Sequence, residues 1–191
     1  MSAGLPIVLF ETAKDWADWL AENHASAAGI WLRIAKKAGP LCSVTYDEAL
    51  DAALCYGWID GQRKSLDDVS FLQKFTRRGP RSIWSKRNTE KAQALIRSRR
   101  MKPAGLKEVE RAKEDGRWDT AYEGQANASI PPDLQAALDR NAKAKAFFAG
   151  LDSRNRYAVL FRLQTAKKPE TRAKRLHQFV RMLAAGETFY P

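Results

Sequence analysis

The sequence predicts an α+β fold, with a small antiparallel sheet and packed helices in the N-terminal part and a mainly helical C-terminal part. Three observations predict it. Ile30, Leu32 and Ile34 alternate with Trp31, Arg33 and Ala35, the period-two pattern of a strand with one covered face. Gln62–Leu66 and Val69–Thr76 flank Asp67-Asp68 as the arms of a hairpin, with Phe71 and Phe75 on one face and Leu72 and Lys74 on the other. From Pro132 onward the apolar residues follow helical spacing. The expected organisation is an α+β domain over 1–115, a connecting loop over 116–132, and a helical region over 133–191 packed on it.

Each element carries its own signal. Thr12 with Asp15 opens a first helix, on which Trp16, Trp19 and Leu20 make one apolar stripe. The Ile30 strand ends at the Gly39-Pro40 break. Thr45 with Glu48 is a second capping box, and Tyr46, Ala49, Leu50, Ala53 and Leu54 form the stripe of a helix ending near Gly57. Gly79-Pro80 forces a turn, after which Asn88 or Thr89 caps a helix running to about Met101. Pro103 starts another, over Leu106 to Asp115. Trp118 and Tyr122 pin the loop that follows. In the tail, Pro132, Asn141, Ser153 and Pro169 each begin a helix, and Gly186 ends the last.

Length and composition allow one ordinary globular protein. The chain has 191 residues, of which 45% are hydrophobic, enough to bury a core without covalent help. Cys42 and Cys55 form neither a metal-ligand spacing nor a disulfide framework, which points to reduced thiols and a cytoplasmic setting. No targeting segment and no membrane-spanning apolar run is expected, so membrane insertion is not. The charge is uneven. Residues 1–54 hold four Lys and Arg against seven acidic residues, and the rest of the chain carries the whole of the net +11 and more. Such an excess suits an anionic partner, or else is a solvated basic surface.

The stretch Cys55–Asn88 concentrates this charge. Arg63, Lys64, Lys74, Arg77, Arg78, Arg81, Lys86 and Arg87 are interleaved with Trp58, Phe71, Phe75 and Trp84. Cations near rings, beside a turn that runs into a helix N-terminus, suit a phosphate or carboxylate held by arginine forks and a stacked ring. The ligand-binding set expected here is Trp58, Asp60, Arg63, Arg77, Arg81, Trp84, Lys86, Arg87 and Asn88. Asp60 orients one of the cations and Trp84 supplies a face, while Trp58 reads more readily as core.

Catalysis has no comparable signal. His24 and His177 have no nucleophile motif around them, and no phosphate-loop or dinucleotide fingerprint is present. Asp67-Asp68 reads as a solvated turn, and Cys55 as a small buried residue ending a helix. No catalytic residue, metal or cofactor is assigned. A nucleic acid held on the basic helical faces Arg97–Arg100 and Arg172–Arg181 is one alternative, and a protein-interaction module is another.

Three segments together resemble one family. They are GWIDGQ (Gly57–Gln62), RRGPRSIWSKRN (Arg77–Asn88) and NRYAVLFRLQTAKKPETRAKRL (Asn155–Leu176) with its closing LAAGET. The chain resembles the YdeI/OmpD-associated, or bacteriocin-protection, proteins over nearly its whole length. The resemblance implies a setting of antimicrobial-peptide tolerance in a bacterium and no particular reaction. Direct capture of cationic peptides by so basic a chain is opposed by like-charge repulsion, which favours an indirect role.

Overall fold

A computed structural model describes residues 4–37 and 40–191. Gly39 of the expected Gly39-Pro40 break lies outside the described residues. The chain divides into two units, Met1–Trp84 with Asn88–Thr120, and Ser85–Arg87 with Ala121–Pro191. The division after Thr120 falls inside the stretch read as a connecting loop.

The first unit is built on a four-stranded sheet ordered β1-β2-β4-β3, from β1 (Ile7–Leu9), β2 (Gly29–Ala35), β3 (Trp58–Ser65) and β4 (Ser70–Arg77). β3 pairs antiparallel with β4, as the hairpin reading requires, and β2 pairs antiparallel with β4 on its other edge. β1 was not anticipated, and it pairs parallel with β2, so the sheet is mixed. Its three residues show no alternation long enough to read.

Helices α1 (Ala13–Asn23) and α2 (Tyr46–Cys55) cover one face of the sheet, and both begin at the expected capping boxes. Trp16, Leu20, Ala49, Ala52 and Ala53 pack on Ile30, Leu32, Ile34, Trp58, Phe71 and Phe75. Gly57 links α2 to β3 with a φ of 73°, and a Cβ there would lie 2.9 Å from the Ala104 carbonyl oxygen. Only glycine meets both conditions at low cost. That tight link starts β3 at Trp58, four residues before the strand was expected. A bulge between Asp60 and Arg63 then shifts the register. The buried Gln73 side chain donates to the carbonyls of Gly61 (2.9 Å) and Gln62 (3.3 Å), so the bulge leaves neither carbonyl unpaired.

Two helices complete this part of the chain, α3 (Lys86–Arg97) and α4 (Pro103–Glu114). α3 begins before the caps expected at Asn88 or Thr89, whose side chains are instead buried in its first turn. It stops short of Met101 because Arg99 adopts a left-handed φ of 58° and the N–H groups of Arg100 and Met101 turn back to the Leu95 carbonyl.

The second unit holds α5 (Pro132–Asp139), α6 (Ala142–Ala149), α7 (Ser153–Gln164) and α8 (Pro169–Ala184) around Leu134, Leu138, Phe148, Val159, Leu163, Phe179 and Leu183. α7 is capped by Asp152 rather than Ser153, which is its first residue. After α8 the chain passes Gly186 and returns to α7. There the buried Asn155 accepts from the N–H groups of Phe189 (3.1 Å) and Tyr190 (3.0 Å) and donates to the Tyr190 carbonyl (3.2 Å).

Candidate functional site

The residues expected to form one site are placed in several environments. Trp58 is fully buried, and its indole N–H donates to the His24 carbonyl at 3.0 Å. Trp84 is likewise interior, with its ring centroid 4.9 Å from that of Trp118. Arg77 is exposed but extends an Nη1 donor to the Ala25 carbonyl at 2.9 Å. Arg81 stands in solvent beside the bend. Lys86 and Arg87 belong to the second unit, where Lys86 pairs with Glu123. Asn88 is buried in the first turn of α3.

The Gly79-Pro80 bend does gather guanidinium groups, and the reason is structural. Arg78 lies flat on Trp84, 3.5 Å from its centroid, and donates to the Ile83 carbonyl at 3.2 Å. Arg111 donates to the Gly79 carbonyl at 3.1 Å and pairs with Glu108. Arg117, 3% exposed and paired with Asp115, donates to the Ser82 carbonyl at 2.6 Å. Three carbonyls of a short irregular loop therefore each receive an arginine. Unmet carbonyls in a closed loop are costly, so donors are drawn inward that sequence spacing would leave in water. Arg111 and Arg117 had no sequence signal for this role, because they lie more than 25 residues downstream of the bend.

Of the expected set, Arg63 lines a cavity, and Asp60 bonds Tyr46, which lines the same cavity. Residues three apart on a regular strand face opposite ways, but the bulge turns both to the helix-covered face. Asp60 accepts from the Tyr46 hydroxyl at 2.8 Å, so it orients a ring rather than a cation. Arg63 stacks on Phe71, its guanidinium carbon 3.7 Å from the ring centroid. Among the described residues it has no carboxylate partner.

This corner of the first unit opens into a cleft of about 540 Å³, lined by Lys36, Lys37, Tyr46, Asp47, Arg63 and Phe71 with smaller neighbours. Lys36 reaches the Asp67 carbonyl at 2.8 Å, while Lys37 is exposed at the rim. Two aromatic side chains, three cations and the Asp47 carboxylate thus line a space large enough for a small molecule. Tyr46 and the Lys36-Lys37 pair line this cleft but were not among the residues expected from the sequence. The pair at the end of an alternating strand was the signal available.

Other chemistry has little support. Burial pushes the Cys55 thiol up, away from the thiolate a nucleophile needs. Among the described residues no group of three His, Cys, Asp or Glu is placed to hold a metal ion, and no helix is long and apolar enough to cross a membrane.

Fold and cleft together define an α+β protein with a helical second unit. Residues 8–108, more than half of the chain, match the family described as Domain of unknown function (DUF8412), and the protein belongs to that family. Residues 127–186 match the family described as Bacteriocin-protection, YdeI or OmpD-Associated, which bears out the resemblance read from the tail. Gly57–Gln62 and Arg77–Asn88 lie within the first match instead, so the second covers less of the chain than that resemblance. No curated protein and no solved structure matches the chain.

Proposed function

We propose that the first unit binds a small anionic ligand, a nucleotide or another phosphate-bearing molecule, in the cleft beside Arg63. The observation that carries this is the Arg63 guanidinium, which lies on Phe71 with no carboxylate paired to it among the described residues. A guanidinium fork held flat by a ring keeps its edge donors for an incoming oxyanion and loses little entropy on binding it. Lys37 and Lys36 add charge at the rim, and Tyr46, steadied by Asp60, offers a second ring for a flat group. The match of residues 127–186 supports a setting in tolerance to antimicrobial peptides, and like-charge repulsion between so basic a chain and cationic peptides favours an indirect role for the ligand.

The test is a thermal-shift panel of inorganic phosphate, mononucleotides and phosphorylated sugars. At a ligand concentration near 100 Kd, linkage gives about 2.7 kcal/mol of stabilisation, a shift of several degrees. Arg63→Gln removes the shift, whereas Arg81→Gln, away from the cleft, leaves it. A panel in which nothing stabilises the protein, or a shift that Arg63→Gln leaves intact, rejects the reading.

A further inference from the structure

The sheet has a second face, and it is chemically distinct from the helix-covered one. Strand register sets two rows of side chains there: Ile7, Trp31 and Lys74 across β1, β2 and β4, and Leu9, Arg33, Leu72 and Lys64 across all four strands. Ile7 and Leu9 are among the few large apolar side chains left exposed, at 57% and 38%. Trp31 is half-buried, and the Lys64 ammonium stands 4.4 Å above its ring. The charged members of both rows are all cations. Only Arg33 has a carboxylate partner, Asp67 at 2.8 Å, while Lys64 and Lys74 have none among the described residues.

We propose that this face binds single-stranded nucleic acid, with Trp31 as the stacking ring and Lys64 and Lys74 as phosphate contacts. A half-buried tryptophan flanked by two lysines that have no carboxylate partner among the described residues meets the two demands of a flexible polyanion with flat bases. Its ring takes a base of any identity, and its flanking cations follow the backbone. A base arriving on Trp31 displaces the Lys64 ammonium to the adjoining phosphate, exchanging one cation–π contact for an ion pair. Duplex fits less well, because a broad sheet cannot enter a groove that admits a helix or a two-stranded ribbon. A bilayer fits less well too, since the Lys64 ammonium stands over the Trp31 ring, between it and an approaching hydrocarbon surface. The site is separate from the cleft beside Arg63 and does not depend on it.

The experiment is fluorescence anisotropy of a labelled twelve-residue deoxythymidine strand with the full chain at several salt concentrations, with the corresponding duplex and phosphatidylglycerol vesicles as comparisons. Expected are saturable binding of the single strand, weaker binding of duplex, and a log–log salt slope. The double variant Lys64→Gln/Lys74→Gln flattens that slope by about 1.4, two contacts at about 0.7 each. Trp31→Leu, which keeps an apolar side chain in the strand, weakens binding at least about fivefold, the low end for one lost base stack. Lys174→Gln/Arg181→Gln on α8 leaves affinity and slope unchanged. Lys64 is exposed and Lys74 is only half-buried, so the lysine variants decide the matter even if Trp31→Leu lowers the melting temperature. Absence of binding, tighter binding to duplex, loss in the α8 variant with the sheet variants unaffected, or capture by vesicles instead of the oligonucleotide overturns the proposal.

Discussion

The Arg63 guanidinium carbon lies 3.7 Å from the Phe71 ring centroid, and a β-bulge two residues wide puts it there. The stack is an exposed cation–π contact, worth about 0.5–1 kcal/mol. Arg63→Ala is therefore expected to lower unfolding free energy in urea by less than about 1 kcal/mol while abolishing the ligand-induced thermal shift. A large stability loss would make Arg63 a packing residue.

Gly105 carries the approach of α4 to α2. A Cβ added there would meet the Cys55 carbonyl and the Met101 sulfur, and would sit 2.6 Å from the Leu54 carbonyl oxygen. Two of those neighbours are backbone and cannot turn aside. Gly105→Ala is expected to destabilise the protein by about 1–3 kcal/mol despite its better helix propensity, as read from the midpoint of urea unfolding. An unchanged or raised midpoint would contradict the packing.

In the second unit Asp133 accepts from Arg172 Nε (2.7 Å) and Nη2 (2.8 Å), a bidentate pair joining α5 to α8. The Arg172 hydrogen bonds hold the Asp133 carboxyl below its ordinary range, outweighing desolvation. A depressed folded-state pKa adds stability that is complete above the unfolded value near 3.9. That stability is lost as pH falls through the folded value. Asp133→Asn is expected to cost about 1 kcal/mol at pH 7, since the pair is partly solvated. Denaturation curves of the two proteins should converge once the pH has fallen through that folded value. A difference that persists there would have another source.

Asn155 holds the C-terminus through both ends of its amide. Its Oδ1 takes the Phe189 and Tyr190 N–H groups, and Arg162 then lies 4.0 Å over Phe189. Asn155→Ala strands these partly buried groups, at about 1 kcal/mol, the low end for an unmet donor or acceptor. Hydrogen exchange should show protection lost first at Phe189 and Tyr190, with the amides of α5 little changed. Retained protection at both would mean the ring contacts suffice.

Local chemistry in this chain is legible wherever one residue type has one low-energy option nearby. The capping boxes at Thr12 and Thr45 form where they were read, as does the Asn141 cap, because each side chain meets a donor three residues away. Trp58 as core was legible for a similar reason, since a large ring beside alternating apolar residues has nowhere better to go. The start of β3 was not, because the Gly57 turn before it resembles the end of a helix. Ser153 as a cap failed against Asp152 by a single residue, which is the usual margin at helix ends.

By itself, then, the sequence determined the α+β class, the covered faces of the helices and strands, and a basic, aromatic-rich segment near its middle. Tertiary structure alone decided which of those cations serve the fold and which face a cavity. The loop at Gly79–Ile83 drew Arg78, Arg111 and Arg117 onto its carbonyls, and the bulge after Asp60 turned Arg63 toward the cleft. Both outcomes depend on where distant backbone carbonyls finish, and a guanidinium's partner is chosen by that geometry rather than by its neighbours along the chain.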